Sequence, residues 1–383
     1  MAILEVAEPR KNVSVRTAQL VQLLSEIGPD IPEISRRLGQ FKESVRYRYK
    51  EKILNRGFAV QAAPNYERLG LKRMIVLADF TDEFREYGSS ILVAMPNLCY
   101  VTGFEKTLPH GQYVISASVP KEHTGEFSEL MNELRNKGIF TSVEVFGFET
   151  FRNAPMKAEF YNFDTGTWDF DWSEASLRDF SAASYVPEER TKIDEIDLRL
   201  IEQLQADANT SLKQISEELK INYKKLAWHY STHVIARNLI RGYRINWMGT
   251  KYNEKMGKAS QRQHRYFMVE LIVRNTSELE RMTLCKKIGQ LPFLWAEATG
   301  NDYSAEFAFP VDYVTEAYQY LENAISSVKH KAQILAIDQT ASLAFTVTPQ
   351  LYDATRKAWV FNKQELAALF DNLVVKIREV RSA

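Results

Sequence analysis

The sequence predicts an α+β protein in which one plan is used twice in tandem: three short helices and a strand, then a βαββαβ unit. Three observations predict it. The first is a repeat: Glu33, Ile34, Ser35, Arg36, Arg37 and Leu38 recur as Gln214, Ile215, Ser216, Glu217, Glu218 and Leu219. The same ungapped offset of 181 pairs Leu20 with Ile201, Leu23 with Leu204, Val45 with Leu226, Tyr47 with Trp228, Tyr49 with Tyr230, Ile53 with Val234 and Asn65 with Asn246. Apolar positions match while surface positions do not, as in a duplicated fold whose surfaces have diverged. The second observation is that the third helical pattern of each copy is basic. The third is that each copy continues into the same alternation of strand and helix signals.

Taken in order, residues 14–27 carry Leu20, Val21, Leu23, Leu24 and Ile27 at helical spacing, and Gly28, Pro29 and Asp30 break that helix. Ile34 and Leu38 define a second helix over 31–38, and Gly39 permits a tight turn. The third helix is expected over 43–56, with Val45, Tyr49 and Ile53 inward, Gly57 as its stop and a wing strand at 58–63. Strand 74–80, helix 82–94, strands 99–104 and 113–119, helix 121–137 and strand 143–148 follow. The second copy repeats the order with strand 266–273, helix 277–288, strands 293–299 and 305–309, helix 313–328 and strand 333–337. Two winged helix-turn-helix domains and two βαββαβ ferredoxin-like domains in tandem are therefore expected. They occupy 1–66, 67–151, 191–250 and 262–350, with a joining segment at 152–190 and a C-terminal helix within 351–383. In that last segment Asn362 with Glu365 has capping-box spacing. The joining segment is aromatic and acidic before it loosens at 181–184, and part of it is expected to pack as an extra strand and a short helix.

Charge separates the third helices from plain core helices. Between Arg36 and Arg56 eight bases face two acids, and between Lys220 and Arg244 six bases face none. The 383-residue chain as a whole is neutral, with 49 basic and 49 acidic residues, so the basic stretches are local features and not part of a general nucleic-acid coat. Compensating charge is concentrated at 159–197, where eleven acids face three bases. An acidic run is usually a solvated face; the sharper reading is a segment that competes with DNA for the basic helices. Cys99 and Cys285 form no zinc spacing or disulfide framework, and neither a signal core nor a transmembrane run is present, so a cytoplasmic chain without membrane partners is expected.

The runs Ile193-Asp194-Glu195-Ile196-Asp197, Leu204-Gln205-Ala206-Asp207-Ala208-Asn209 and Ile215-Ser216-Glu217-Glu218-Leu219 resemble the opening of Lrp/AsnC (feast/famine) transcription regulators. Ser44-Val45-Arg46-Tyr47-Arg48-Tyr49-Lys50 resembles the recognition helix of that family. The resemblance covers most of the chain twice over. It implies a helix-turn-helix followed by a sensing and dimerisation domain, and the turn at Thr299, Gly300 and Asp302 is similar to the one beside which small effectors such as amino acids bind. The chain departs from the family in several places. The first copy has Phe41 where a capping Ser is preferred, the second replaces two glycines with Lys220 and Asn238, and Thr102-Gly103-Phe104-Glu105 lacks the Asp of the effector turn.

The expected function is that of a sequence-specific DNA-binding transcription regulator in which one chain mimics a family dimer, with double-stranded DNA as partner. DNA needs cations for phosphates and planar donors for base edges. Lys42, Ser44, Arg46, Tyr47, Arg48 and Lys50 supply these in the first copy, and Lys224, Lys225, Trp228 and His229 in the second. Further pairing of chains is expected through the edge strands of the ferredoxin-like domains. His229 and His233 are spaced as zinc ligands on a helix can be, but only the remote His264 offers a third ligand, so no metal and no cofactor is expected. No nucleophile motif or phosphate loop is present, so no enzyme is expected. Two alternatives remain. One is an interaction or effector-sensing scaffold that has lost DNA binding. The other is a siroheme-decarboxylase-like enzyme, an activity found among relatives of this fold, although Leu291-Pro292-Phe293-Leu294-Trp295 stands where a His-Asn-Tyr type of motif is expected.

Overall fold

The computed structural model describes residues 15–109, 111–175, 188–248 and 265–382. The loosened stretch 181–184 and His264 lie outside the described residues. Helix α1 (Val15–Ile27) turns Leu20, Val21 and Leu24 inward. Helix α2 (Ile31–Leu38) is capped by Asp30, whose side chain accepts the Glu33 N–H, and it closes on Gly39 at φ 60°. Helix α3 (Lys42–Arg48) is shorter than the expected 43–56. From Tyr49 to Ile53 the backbone widens into a π turn, then tightens over Leu54–Arg56, and Gly57 at φ 78° stops it. Val45, Tyr49 and Ile53 are each four apart and all buried. On a regular helix every such step drifts by roughly 40°, and the wider turn absorbs the drift.

Strand β1 (Ala59–Pro64) leads into β2 (Leu71–Phe80). The expected helix 82–94 is instead a short turn followed by α4 (Gly88–Ala94) and α5 (Pro96–Cys99). A side chain at Gly88 would meet the Phe80 ring at 2.9 Å, so the helix starts where it tucks under that ring. Strands β3 (Val101–Leu108) and β4 (Tyr113–Pro120), helix α6 (Thr124–Asn136) and strand β5 (Phe140–Asn153) complete the first half. The joining segment forms the hairpin β6 (Tyr161–Asn162) and β7 (Thr167–Trp168), then α7 (Trp172–Ala175). Its aromatics pack inward: the Trp168 ring lies 5.2 Å from Phe293 and 5.6 Å from Trp247.

The second half opens with α8 (Glu195–Ala206), α9 (Leu212–Leu219) and α10 (Tyr223–His229), the last continued by a π turn at Tyr230–Ile235. Lys220 and Asn238 adopt φ 55° at the two turns where the first half has glycine. Strands β8 (Ile240–Asn246) and β9 (Tyr266–Val273), helix α11 (Glu278–Ile288), strands β10 (Leu294–Gly300) and β11 (Tyr303–Pro310), helix α12 (Val314–Ala324) and strand β12 (Ala332–Ala344) follow. The hairpin β13 (Tyr352–Asp353) with β14 (Ala358–Trp359) and helix α13 (Lys363–Ser382) end the chain, with Asn362 Oδ1 accepting the Glu365 N–H at 3.2 Å.

The halves join by pseudo-two-fold symmetry. Each helix-turn-helix has a single strand for its wing, and the two wings pair antiparallel with Ala62 opposite Tyr243. Those residues are equivalent in the repeat, so the axis passes between them. The first helix of each module packs on the wing of the other, α1 on β8 and α8 on β1. The ferredoxin-like sheets close on each other into a barrel of order β10-β11-β9-β12-β3-β4-β2-β5, sealed by β12 with β3 and by β10 with β5. The expected pairing of further chains through sheet edges has no basis among the described barrel strands, because closure uses both edges. No helix of the described residues is long and apolar enough to cross a membrane.

Where β8 crosses α1, a Cβ on Gly242 would fall 2.8 Å from the carbonyl oxygen of Ser25. Gly242→Ala is expected to force this backbone contact apart and cost about 1–3 kcal/mol, read from urea denaturation midpoints. An unchanged midpoint would show that the wing does not depend on this approach.

Candidate nucleic-acid interface

In the first module, the turn of the inner face at Val45, Tyr49 and Ile53 leaves Lys42, Ser44, Arg46, Tyr47 and Lys50 exposed on α3 and its continuation. Tyr47 is 70% exposed and Phe41, just before the helix, 86%. Phe41 makes no side-chain cap, so the first turn of α3 presents unsatisfied N–H groups as well as cations. Arg46 is held by Glu43, at 2.7 Å, in a solvent-exposed pair that DNA phosphate can exchange. Arg48 is half-buried and donates to Gln40 Oε1 at 2.8 Å, which keeps it at the side of the face. Lys52 pairs with Asp164 of the joining segment at 2.6 Å, so one acid of that segment does occupy a cation of the recognition element.

In the second module, Asn222 accepts the N–H groups of Lys224 and Lys225 and starts α10. Lys224, Lys225 and the half-exposed Trp228 face solvent. His229 does not. It lies on the inner face with Leu226 and is buried, its Nδ1 2.9 Å from Asp197 Oδ1, which removes it from the DNA-facing set. The basic count of this module also overstates its face. Arg237 donates to the Lys192 carbonyl, Arg241 to the Phe151 carbonyl and Glu188, and Arg244 lies over the Trp295 ring at 4.6 Å. Sequence spacing could not separate these from free cations, because their partners are distant in the chain.

The effector-type turn is satisfied locally. Thr299 shares a hydrogen bond with Thr150, the Gly300 carbonyl accepts from Arg281, and Asp302 accepts the Asn275 N–H. None of the three lines a cavity described below. The polar interior lies elsewhere, inside the barrel, where Glu105, Glu270, Glu306, Arg73 and Arg244 surround a cavity of about 110 Å³. Burial, reinforced by Glu306, pushes the Glu270 carboxyl up to about 8, and burial with the charges of Glu306 and Glu270 holds Glu105 well above the carboxylate range. Burial raises Glu306 too, against the opposing pull of Arg244 and Arg73. A lone acid in each of the apolar strands 266–273 and 303–310 was the available signal. A larger cleft of about 910 Å³ lies between α1, β8 and residues 151–160.

A proton held by Glu270 in the folded state but not the unfolded one stabilises the fold fully below about 4.5, and that stability is lost as pH rises to about 8. Glu270→Gln keeps an acceptor for the Ser304 hydroxyl and cannot ionise. The variant is expected to be more stable than the parent by on the order of 2 kcal/mol at pH 8, with the gap closing toward pH 4.5. Urea midpoints across that range are the measurement, and parallel curves would contradict the assignment.

Residues 193–231 match a family model described as winged helix-turn-helix DNA-binding. No curated protein sequence matches the chain. The crystal structure of the siroheme decarboxylase NirDL is similar over 94% of this chain and 99% of that one, at 9% identity and TM-score 0.52. Its complex with an iron-uroporphyrin III analogue gives 94%, 98%, 9% and 0.53. An AsnC-family transcriptional regulatory protein from Pyrococcus furiosus covers 40% of this chain and 99% of its own, at 14% identity and a TM-score of 0.29, too low to carry an argument. At these identities the likeness to NirDL is one of fold. The chain has a tandem α+β fold like that of NirDL, with a winged helix-turn-helix domain of DNA-binding type at residues 193–231.

Proposed function

We propose that the chain is a sequence-specific DNA-binding transcription regulator of the Lrp/AsnC kind, carrying the two halves of a dimer in one polypeptide. The observation that carries this reading is the exposed face of Lys42, Ser44, Arg46, Tyr47 and Lys50, on a module tied to its sister through the paired wings. Two modules on a pseudo-two-fold suit a site with two half-sites one helical turn, about 34 Å, or a multiple of it apart. The faces differ: Arg46 and Tyr47 stand in one where Ala227 and Trp228 stand in the other. The half-sites are therefore expected to differ, the first module reading more of the sequence. The face is exposed, so the reading of a scaffold without DNA binding has no support in burial of these helices.

A second reading is an enzyme acting on an iron tetrapyrrole. It rests on the similarity to siroheme decarboxylase along nearly the whole of both chains. The 910 Å³ cleft is large enough for such a ligand, and Arg152, Lys157, Arg241 and Arg244 line it. These cations are already engaged: Arg152 with Glu297, and Lys157 with the carbonyls of Gly289 and Gln290. A carboxylate-rich tetrapyrrole would have to displace those partners, whereas the basic face of the first module is open to solvent.

Selection from random duplexes is expected to enrich one asymmetric sequence, bound with a steep loss of affinity in rising salt. Arg46→Ala is expected to cost about 1–3 kcal/mol and relax specificity at one position, and Lys225→Ala to lower affinity on all sequences and reduce the salt slope by about 1. If no duplex is enriched and binding does not respond to salt, the regulator reading fails. Absorption titration with iron-uroporphyrin III tests the second reading directly: a saturable 1:1 spectral shift supports it, and an unchanged spectrum removes it.

A further inference from the structure

Two acids at the start of α8 and two histidines of α10 and its π turn converge in the second module. Asp197 is fully buried, and His229 and His233 nearly so. His229 Nδ1 lies 2.9 Å from Asp197 Oδ1 and 3.6 Å from Asp194 Oδ2, and His233 Nδ1 lies 3.0 Å and 3.9 Å from the same two oxygens. One donor atom from each residue falls within 4.8 Å of all the others. We propose that these four residues form a binding site for one divalent transition-metal ion of the zinc class, held by the Nδ1 atoms of His229 and His233 and one oxygen each of Asp194 and Asp197.

Geometry, charge and access support the site. A tetrahedron with zinc–ligand bonds of about 2.0–2.2 Å has edges of roughly 3.3–3.6 Å, and the four nitrogen-to-oxygen distances bracket that length. The set brings two carboxylates and two imidazoles together in the interior. Among the described residues no Lys or Arg pairs with either acid, and a divalent cation would neutralise the set. Nitrogen and oxygen donors of this mix suit zinc and its neighbours over magnesium or calcium. Asp194 is part-exposed at 43% of its side chain and gives an entry path, while the Trp228 ring covers the histidines at 5.0 and 4.6 Å.

The fold itself does not require this cluster. In the repeat, Asp194, Asp197, His229 and His233 correspond to Val13, Arg16, Arg48 and Lys52, so the first module has a valine and three cations where the second has ligands. The charge of Arg16 reaches Arg48 there, which places those two equivalents close together as well. Sequence spacing alone offered only the histidine pair. The capping box supplies the rest, because Asp194 and Asp197 are turned toward each other by the helix start they cap. A bound ion would staple the first helix of this module to its recognition helix.

The test uses the full chain, stripped with chelator and titrated with cobalt(II), with zinc as competitor. The wild type is expected to develop the visible absorption of tetrahedral cobalt at one ion per chain, abolished by excess zinc. Asp194→Ser keeps an N-cap and removes one ligand, so it is expected to bind at least about tenfold more weakly while remaining folded by circular dichroism. His233→Gln is expected to lose the tetrahedral bands. A folded wild-type chain that gives no cobalt spectrum overturns the proposal, as does binding unchanged in both variants. The measurement involves no DNA, so its outcome is independent of the regulator reading.

Discussion

Antiparallel pairing of β1 with β8 is the constraint on which the arrangement of the molecule depends. A lone strand after a helix-turn-helix leaves a full row of backbone donors and acceptors without partners. Here each wing satisfies the other, and the register sets Ala62 against its own equivalent, Tyr243. That choice places the axis. It also brings α1 onto β8 so closely that position 242 has room only for glycine beside the Ser25 carbonyl. The two recognition elements are therefore positioned through the backbone hydrogen bonds of the paired wings near the axis.

The same symmetry closes the barrel. Two four-stranded sheets with open edges would invite pairing with other chains. Joined through β12 with β3 and β10 with β5, they consume all four edges within one polypeptide. Closure has a cost, since inward-facing Glu105, Glu270 and Glu306 end up around one small cavity. Even with Arg73 and Arg244 beside them, burial raises all three carboxyls above their ordinary range, Glu105 and Glu270 most.

Duplication within one chain has let the halves diverge without losing the fold. The first recognition element keeps an open basic and aromatic face. The second turns two histidines inward to a buried carboxylate and spends Arg237, Arg241 and Arg244 on structure. Glycine at 39 and 57 became Lys220 and Asn238 at the same left-handed backbone positions, a strained choice for lysine that the surrounding turn imposes.

By itself the sequence determined the plan of the molecule. The 181-residue offset, the capping-box spacing of Asn362 with Glu365, and the inner positions Val45, Tyr49 and Ile53 are local patterns, and local hydrogen bonding and hydrophobic periodicity are what short stretches encode. The exposed set Lys42, Ser44, Arg46, Tyr47, Lys50, Lys224 and Lys225 follows from that periodicity. Only the tertiary structure decided which cations are free, where His229 points, that two wings share one sheet, and that Asp194 and Asp197 meet the histidines of another helix. Each of these depends on residues far apart in the chain, whose meeting is set by packing and by the demand that every buried polar group find a partner.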